Sequence, residues 1–316
     1  MNMIDQQIIE WLLHSDVSIQ YQVNRDLLKI DRSDLRKRIA KEGWGAKLLS
    51  LQNDNGDWGQ GFYQPKWTST HYTLLDLKNL NISPNIESIR EIILKIINEN
   101  KGIDGGINPA DSVKESDVCI NGMFLNYAAY FNTNEDGLKT IVDFIISQQL
   151  SDGGFNCRYN RKGAKHSSLH STISVIEGIH EYSKNGYNYR LNELLTMEKE
   201  SQEFILEHRL FKSDKTYEVI DHRMTMLSYP SRWRYDVLRA LDYFQLVGHA
   251  YDKRMRDALD ILIKKQRKDK KWPVQHRHVG ATHFDMEKTG KPSQWNTLRA
   301  LRVIKHFGVE NEIQCY

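Results

Sequence analysis

Apolar positions along the chain fall into two kinds of helical stretch that alternate. In one kind they recur every three or four residues and leave a charged face, as in 88–100, 137–149 and 252–266. In the other nearly every position is apolar or small, as in 117–130 and 168–182. The first spacing belongs to a helix with one buried face and the second to a helix shielded all round. One-sided segments are also read at 35–51 and 198–210, and shielded ones at 67–77, 233–244 and 294–306. Ahead of these, 4–13 forms a short apolar helix around Trp11, and Ser15 or Asp16 caps a helix over 17–30.

Between a one-sided segment and the next shielded one stands a recurring turn. It reads Gln52-Asn-Asp-Asn-Gly-Asp-Trp58, Gly102-Ile-Asp-Gly-Gly-Ile107, Gln149-Leu-Ser-Asp-Gly-Gly-Phe155, a degenerate Phe211-Lys-Ser-Asp, and Gln266-Arg-Lys-Asp-Lys-Lys-Trp272. Glycine at these places costs a helix about 1 kcal/mol relative to alanine and readily takes positive φ, so the helix stops there. The marks at 58, 107, 155, 211 and 272 recur every ~50–60 residues, the period of a repeat architecture. With 17–30 as an extra inner helix, six helix pairs result. The predicted fold is all-α, one domain over 1–316, with the pairs closing into an α6/α6 toroid of inner and outer layers; an open superhelix is the alternative. Insertions at 108–116, 156–167, 212–231 and 273–293 all fall between a turn and an inner helix. They therefore share one rim, where a repeat protein places its binding face.

Charge changes this picture little. A formal excess of +3 over 316 residues gives no argument for nucleic acid. No apolar run approaches the ~20 residues of a membrane span, and the first residues lack the basic-then-apolar order of a signal peptide. Cys119, Cys157 and Cys315 form an odd, scattered set, which predicts no disulfide framework and a reducing, cytoplasmic setting. A Gly-rich nucleotide loop and a Gly-x-Ser-x-Gly nucleophile are both missing, so no nucleotide cofactor is expected.

The candidate chemistry lies in the insertions and at the starts of the shielded helices. His71, His166, His170 and His222 converge if the rim is common to them; each alone reads equally as a loop or capping histidine. Arg158, Arg161, Lys162, Lys165, Arg232 and Arg234 supply charge for an anion, or else are solvated loop cations. The loop 273–293, with His276, His278, His283, Asp285 and Glu287, reads as a lid. Tyr235, Asp236, Trp295 and Trp67 open shielded helices and read as pocket walls, with Asp236 either an acid or base or the partner of Arg232 or Arg239.

The turns at 52–58, 149–155 and 266–272 resemble the glutamine-tryptophan repeats of the terpenoid cyclase and protein prenyltransferase superfamily. That resemblance covers roughly 35–308 and implies an α/α toroid whose cavity binds isoprenoid chains or their diphosphates. The Asp-x-Asp-Asp acid of the squalene-hopene branch and the aspartate-rich magnesium cluster of the ionising synthases are both missing. Similarity to the prenyltransferase β subunit implies zinc held by Asp117, Cys119 and His170, with Lys114 contacting a diphosphate. Three such ligands leave the fourth position of Zn²⁺ open for a thiol or water. His170 stands one position away from the family's phase, and Ile120 replaces an expected phenol. Without metal, Cys119 is a core residue and Asp117 a helix cap.

The expected function is a terpenoid cyclase- or prenyltransferase-like enzyme acting on an isoprenoid or other apolar substrate. Asp236, Tyr235, His71 and His222 are its candidate catalytic residues, and Lys114, Arg158, His166, Arg232, Trp295 and Trp67 its candidate substrate contacts. Two other classes remain: a toroid that binds a small molecule without chemistry, and a carbohydrate-active enzyme using two rim carboxylates about 5–9.5 Å apart, Asp236 and Asp285.

Overall fold

The computed structural model describes residues 5–110 and 112–308, without the side chains of 160 and 161. Cys315 thus lies outside the described residues, as does the side chain of Arg161. The chain is all-α, with one two-residue ribbon in which β1 (Trp272–Pro273) pairs antiparallel with β2 (Pro292–Ser293). Among the described residues no helix is long and apolar enough to cross a membrane.

Helices α1 (Gln6–Leu13) and α2 (Val17–Gln22) begin the chain, and α2 runs on as a wider π-helical turn over Val23–Leu28. The segment read as one helix over 35–51 is two, α3 (Ser33–Arg38) and α4 (Gly43–Leu49). Gly43 sits at φ 63° and its absent side chain leaves room for the Asp16 carboxylate, which accepts the Trp44 N–H at 2.8 Å. A tertiary bond therefore breaks a helix that local pattern would continue. Next come α5 (Thr70–Asn79), α6 (Glu87–Glu99), α7 (Val118–Tyr130), α8 (Glu135–Ser147), α9 (Tyr159–Lys162) and α10 (Leu169–Lys184). They are followed by α11 (Leu191–Glu207), α12 (Val237–Leu246), α13 (Arg256–Lys264) and α14 (Gln294–Phe307). The fourth shielded helix starts four residues later than predicted because Asp236, not Trp233, caps it: its carboxylate accepts the Arg239 N–H at 2.8 Å.

Burial follows the two sequence patterns. Every residue of α7 is buried except Cys119, whereas α6, α8 and α13 bury one face each. The turn marks repeat in atomic detail. The N–H groups of Trp58, Ile107, Phe155 and Trp272 are each bonded by a side chain from the following helix: Thr70 at 2.9 Å, Asn121 at 2.7 Å, Thr172 at 3.0 Å and Thr297 at 3.0 Å. The first and last tryptophans donate Nε1–H to Leu48 and Leu262 carbonyls, both at 2.7 Å. The glutamines serve the turns, and Gln149 also reaches the neighbouring helix α11 by donating to Glu200 at 2.9 Å. Gln52, Gln149 and Gln266 each close their own turn by donating to the carbonyl four residues on.

The most extensive helix pairing is α7 with α10; α12 packs against α14 and α5 against α7, and α14 also touches α2. The early and late segments of the chain touch through Arg302 and Asp26 at 2.9 Å and Lys270 and Asp5 at 2.9 Å. The closeness of α7 to α10 depends on two glycines: a Cβ at Gly122 would lie 2.6 Å from Val175 Cα, and one at Gly178 would overlap the Gly122 carbonyl oxygen. Gly178→Ala should therefore destabilise the fold by about 1–3 kcal/mol through overpacking of backbone that has no side chain to move aside. Urea unfolding checks this: the midpoint falls, and an unchanged midpoint contradicts the close approach.

Candidate functional site

Six helices face one another around a cavity of about 170 Å³, and α2, α5, α7, α10, α12 and α14 each contribute to its wall. Among the described residues that wall carries seven cationic side chains and three carboxylates. Two further carboxylates, Asp26 and Asp76, pair with wall arginines without lining the cavity themselves. Cations thus remain in excess. Leu75, Leu246 and Trp295 are its apolar surface, besides the rings of Tyr130, Tyr229 and Tyr243.

Several of these charges are held across helices. Arg239 of α12 donates to both oxygens of Glu177 on α10, Nε at 2.9 Å and a terminal nitrogen at 2.6 Å. Asp242 receives Arg299 and Arg302 of α14, both at 3.1 Å, and Arg302 reaches on to Asp26 at 2.9 Å. Lys78 of α5 meets Glu181 of α10 at 3.0 Å. Burial pushes the Glu181 carboxyl up, but Lys78 and Lys184 outweigh it and hold the group at about 2. Arg239 is likewise kept charged against its burial by Glu177.

The members of the wall that reach solvent, Asn79, Lys184 and Leu246, stand at the C-terminal ends of α5, α10 and α12. Tyr229, Arg232 and Trp295, at the opposite end, are its floor. The hollow therefore opens away from the insertions, where the sequence placed its mouth. The reason is the final insertion, which is seated over that end. Trp67 donates Nε1–H to the Val279 carbonyl at 2.6 Å, and His283 meets Thr73 at 2.9 Å. Beneath the loop lies a second cavity of about 30 Å³, the share of liquid volume of one water. Asp76, Arg232, His278, His283 and Glu287 line it. Arg232 belongs to both cavities, packs 4.8 Å over the Trp67 ring, and lies 3.9 Å from Asp76. Its Nε is buried without a partner. Burial pushes the Asp76 carboxyl up to about 6 despite that guanidinium, and pushes Glu287 up to about 7.

The residues singled out in the sequence are partly gathered. Arg232 and Trp295 meet the central hollow, and Trp67 the lid cavity. Trp295 stacks on Tyr229 at 4.9 Å between centroids. Asp236 is a structural cap: besides the Arg239 N–H it accepts the Ser228 hydroxyl at 2.7 Å. It does not face Asp285, which is exposed and paired with Arg277 at 3.1 Å. His71 is fully buried with Nδ1 3.2 Å from the Tyr127 hydroxyl, and burial drives it down to about 3. Tyr235 is buried with its hydroxyl unpartnered, and its N–H donates to His170 Nδ1 at 2.8 Å. His222, Lys114, Arg158 and His166 are exposed; the rim does not draw them together with His71.

Cys119 and Cys157 are joined in a disulfide, their Cα atoms 6.0 Å apart, which corrects the expectation of unpaired cysteines. Spacing in the sequence gives no hint of it, because the two belong to successive repeats. The bond takes the Cys119 sulfur and the Tyr235 N–H takes one His170 nitrogen. Asp117, Cys119 and His170 accordingly do not form a group able to hold a metal among the described residues.

The sequence reading missed Lys78, Glu177, Glu181, Asp242, Arg299 and Arg302. Their signal was present: charges three or four apart on helices otherwise shielded, as in Arg239 with Asp242 and Arg299 with Arg302. No family model and no curated protein matches the chain.

Stability should depend on pH through two opposed sets of groups. Burial lowers His71 to about 3 and His170 to about 4. These rings take up protons on unfolding once pH falls below the ordinary histidine value of about 6.5, so their contribution is full above it and lost below. Glu287, still protonated in the fold up to about 7, acts in the other sense, adding stability as pH falls toward the ordinary carboxyl range. Glu287→Gln should therefore steepen the loss of stability between pH 7 and about 5. Parallel pH profiles for variant and wild type in urea titrations would contradict this.

Proposed function

We propose that the six helix pairs close into an α/α toroid of the kind the sequence resemblance implies, and that its central hollow receives a small, multiply charged anion. The observation that carries this reading is the wall itself, to which six helices contribute and on which cations outnumber carboxylates. Contact between α14 and α2, and the pairing of Arg302 with Asp26, support closure of the ring.

The isoprenoid substrate of the related superfamily is accommodated only in part. Its diphosphate belongs to the favoured class, since arginines bind such oxyanions through paired charge-assisted bonds. Its hydrocarbon does not, because the hollow and the pocket that adjoins it through Arg25, Asp242, Leu246 and Arg302 are lined mostly by polar and charged side chains. An apolar chain there would also remove water from ion pairs without replacing its hydrogen bonds.

A second reading, catalysis, is favoured by Asp76. It lines the lid cavity beside Arg232 with its carboxyl raised to about 6, suited to pass a proton near neutrality.

Calorimetry with inorganic pyrophosphate at low ionic strength tests the proposal. Arg299→Met removes a wall cation while Asp242 keeps Arg302, so the fold should persist and affinity should fall about tenfold or more. An isoprenyl alcohol that binds as tightly as pyrophosphate would overturn the reading.

A further inference from the structure

We infer that the insertion rim holds a second oxyanion site, built around Trp233 and separate from the central hollow. The Arg234 guanidinium lies 4.6 Å and the Lys66 ammonium 5.1 Å from the centre of the Trp233 ring. His170 stands edge-on to the same ring at 5.3 Å. Lys66 is also within 5.2 Å of the Trp67 ring.

The manner in which these cations are held is what points to a ligand. In the hollow Arg239, Arg299, Arg302 and Lys78 are each held by a carboxylate at 2.6–3.1 Å, which takes N–H donors from them. Lys66 and Arg234 form no salt bridge or side-chain hydrogen bond among the described residues, and the Arg234 Nε and Trp233 Nε1 atoms are buried without partners. A ring face attracts a cation through its quadrupole and leaves the donors unused. The site is thus pre-positioned and unsatisfied at once.

Electrostatics agrees with this arrangement. Burial lowers the Lys66 ammonium, and the nearby Arg234 charge lowers it further, with Asp117 offsetting part. Two like charges have been brought together in a place that desolvates them, a cost that an anion between them would remove. His170 accepts the Tyr235 N–H at Nδ1, so its neutral ring carries the proton on Nε2 and offers a further donor. All the groups named around Trp233 that are not yet bonded are donors. The ligand is therefore an oxyanion head with several acceptor oxygens, a phosphate ester or a carboxylate. Lys66 is exposed, so the head can arrive from solvent. Lys114 is not part of the set. The Cys119–Cys157 bond ties the start of α7 to the 156–167 insertion and so fixes that stretch of the rim.

The rim and the hollow stand on different residues, so one titration separates them. Calorimetry of the full chain with inorganic pyrophosphate should give two anions per chain. Lys66→Met and Arg234→Met should each weaken one of them about tenfold and leave the other, while Lys66→Arg retains both. Arg299→Met should do the converse. One anion per chain, lost with Arg299→Met and indifferent to Lys66→Met, overturns the rim site and leaves the hollow standing. One anion lost only with Lys66→Met upholds the rim and overturns the hollow, and no binding at all overturns both. Circular dichroism melts of the variants verify that each binding change occurs in folded protein.

Discussion

Charges buried at the centre of an all-helical molecule have only one another for company, and the rest of the arrangement depends on how they pair. Removing one member of such a pair strands the other and costs several kcal/mol, while the pair itself contributes little net stability. Its value lies in geometry. Arg239 with Glu177, Lys78 with Glu181, and Arg302 with both Asp242 and Asp26 each join helices far apart in sequence. A shift of any one helix by a turn would separate these partners.

Around that centre the repeats supply position by local means. A threonine or asparagine near the start of a shielded helix bonds the last N–H of the preceding turn, and a buried aromatic or isoleucine fills the joint. The same small device, used four times, sets four helices in one phase, so that residues at equivalent heights face inward together. Gly122 and Gly178 then bring α7 and α10 closer than any side chain would permit.

Much of this was legible in the chain. The alternation of one-sided and shielded patterns gave the helices, and the marks at 58, 107, 155 and 272 gave the repeat, because both are local in origin. The break at Gly43 was not legible, since it answers to Asp16, 27 residues earlier in the chain. The candidate site fared less well, for a similar reason. Histidines of the insertions, such as His166 and His222, and Asp236 at a helix start carry the chemistry most visible in the sequence. The hollow is instead walled by arginines and carboxylates spaced along shielded helices, where a charge must have a partner that the sequence does not name. Arg232, just ahead of α12, and Trp295, at the start of α14, are legible in the sequence and lie at the hollow's floor. Cys119 pairs with Cys157 because successive repeats stack, a relation visible only once their phase is known.

The measurement that bears most directly on the charged hollow is a crystal structure of the protein soaked with selenate, read by anomalous scattering. An anomalous peak within hydrogen-bonding distance of the Arg299 or Arg239 side chain, inside the hollow, is the result the account predicts. A map with no peak in the hollow, and continuous apolar ligand density lying against Leu75 and Trp295, would contradict it.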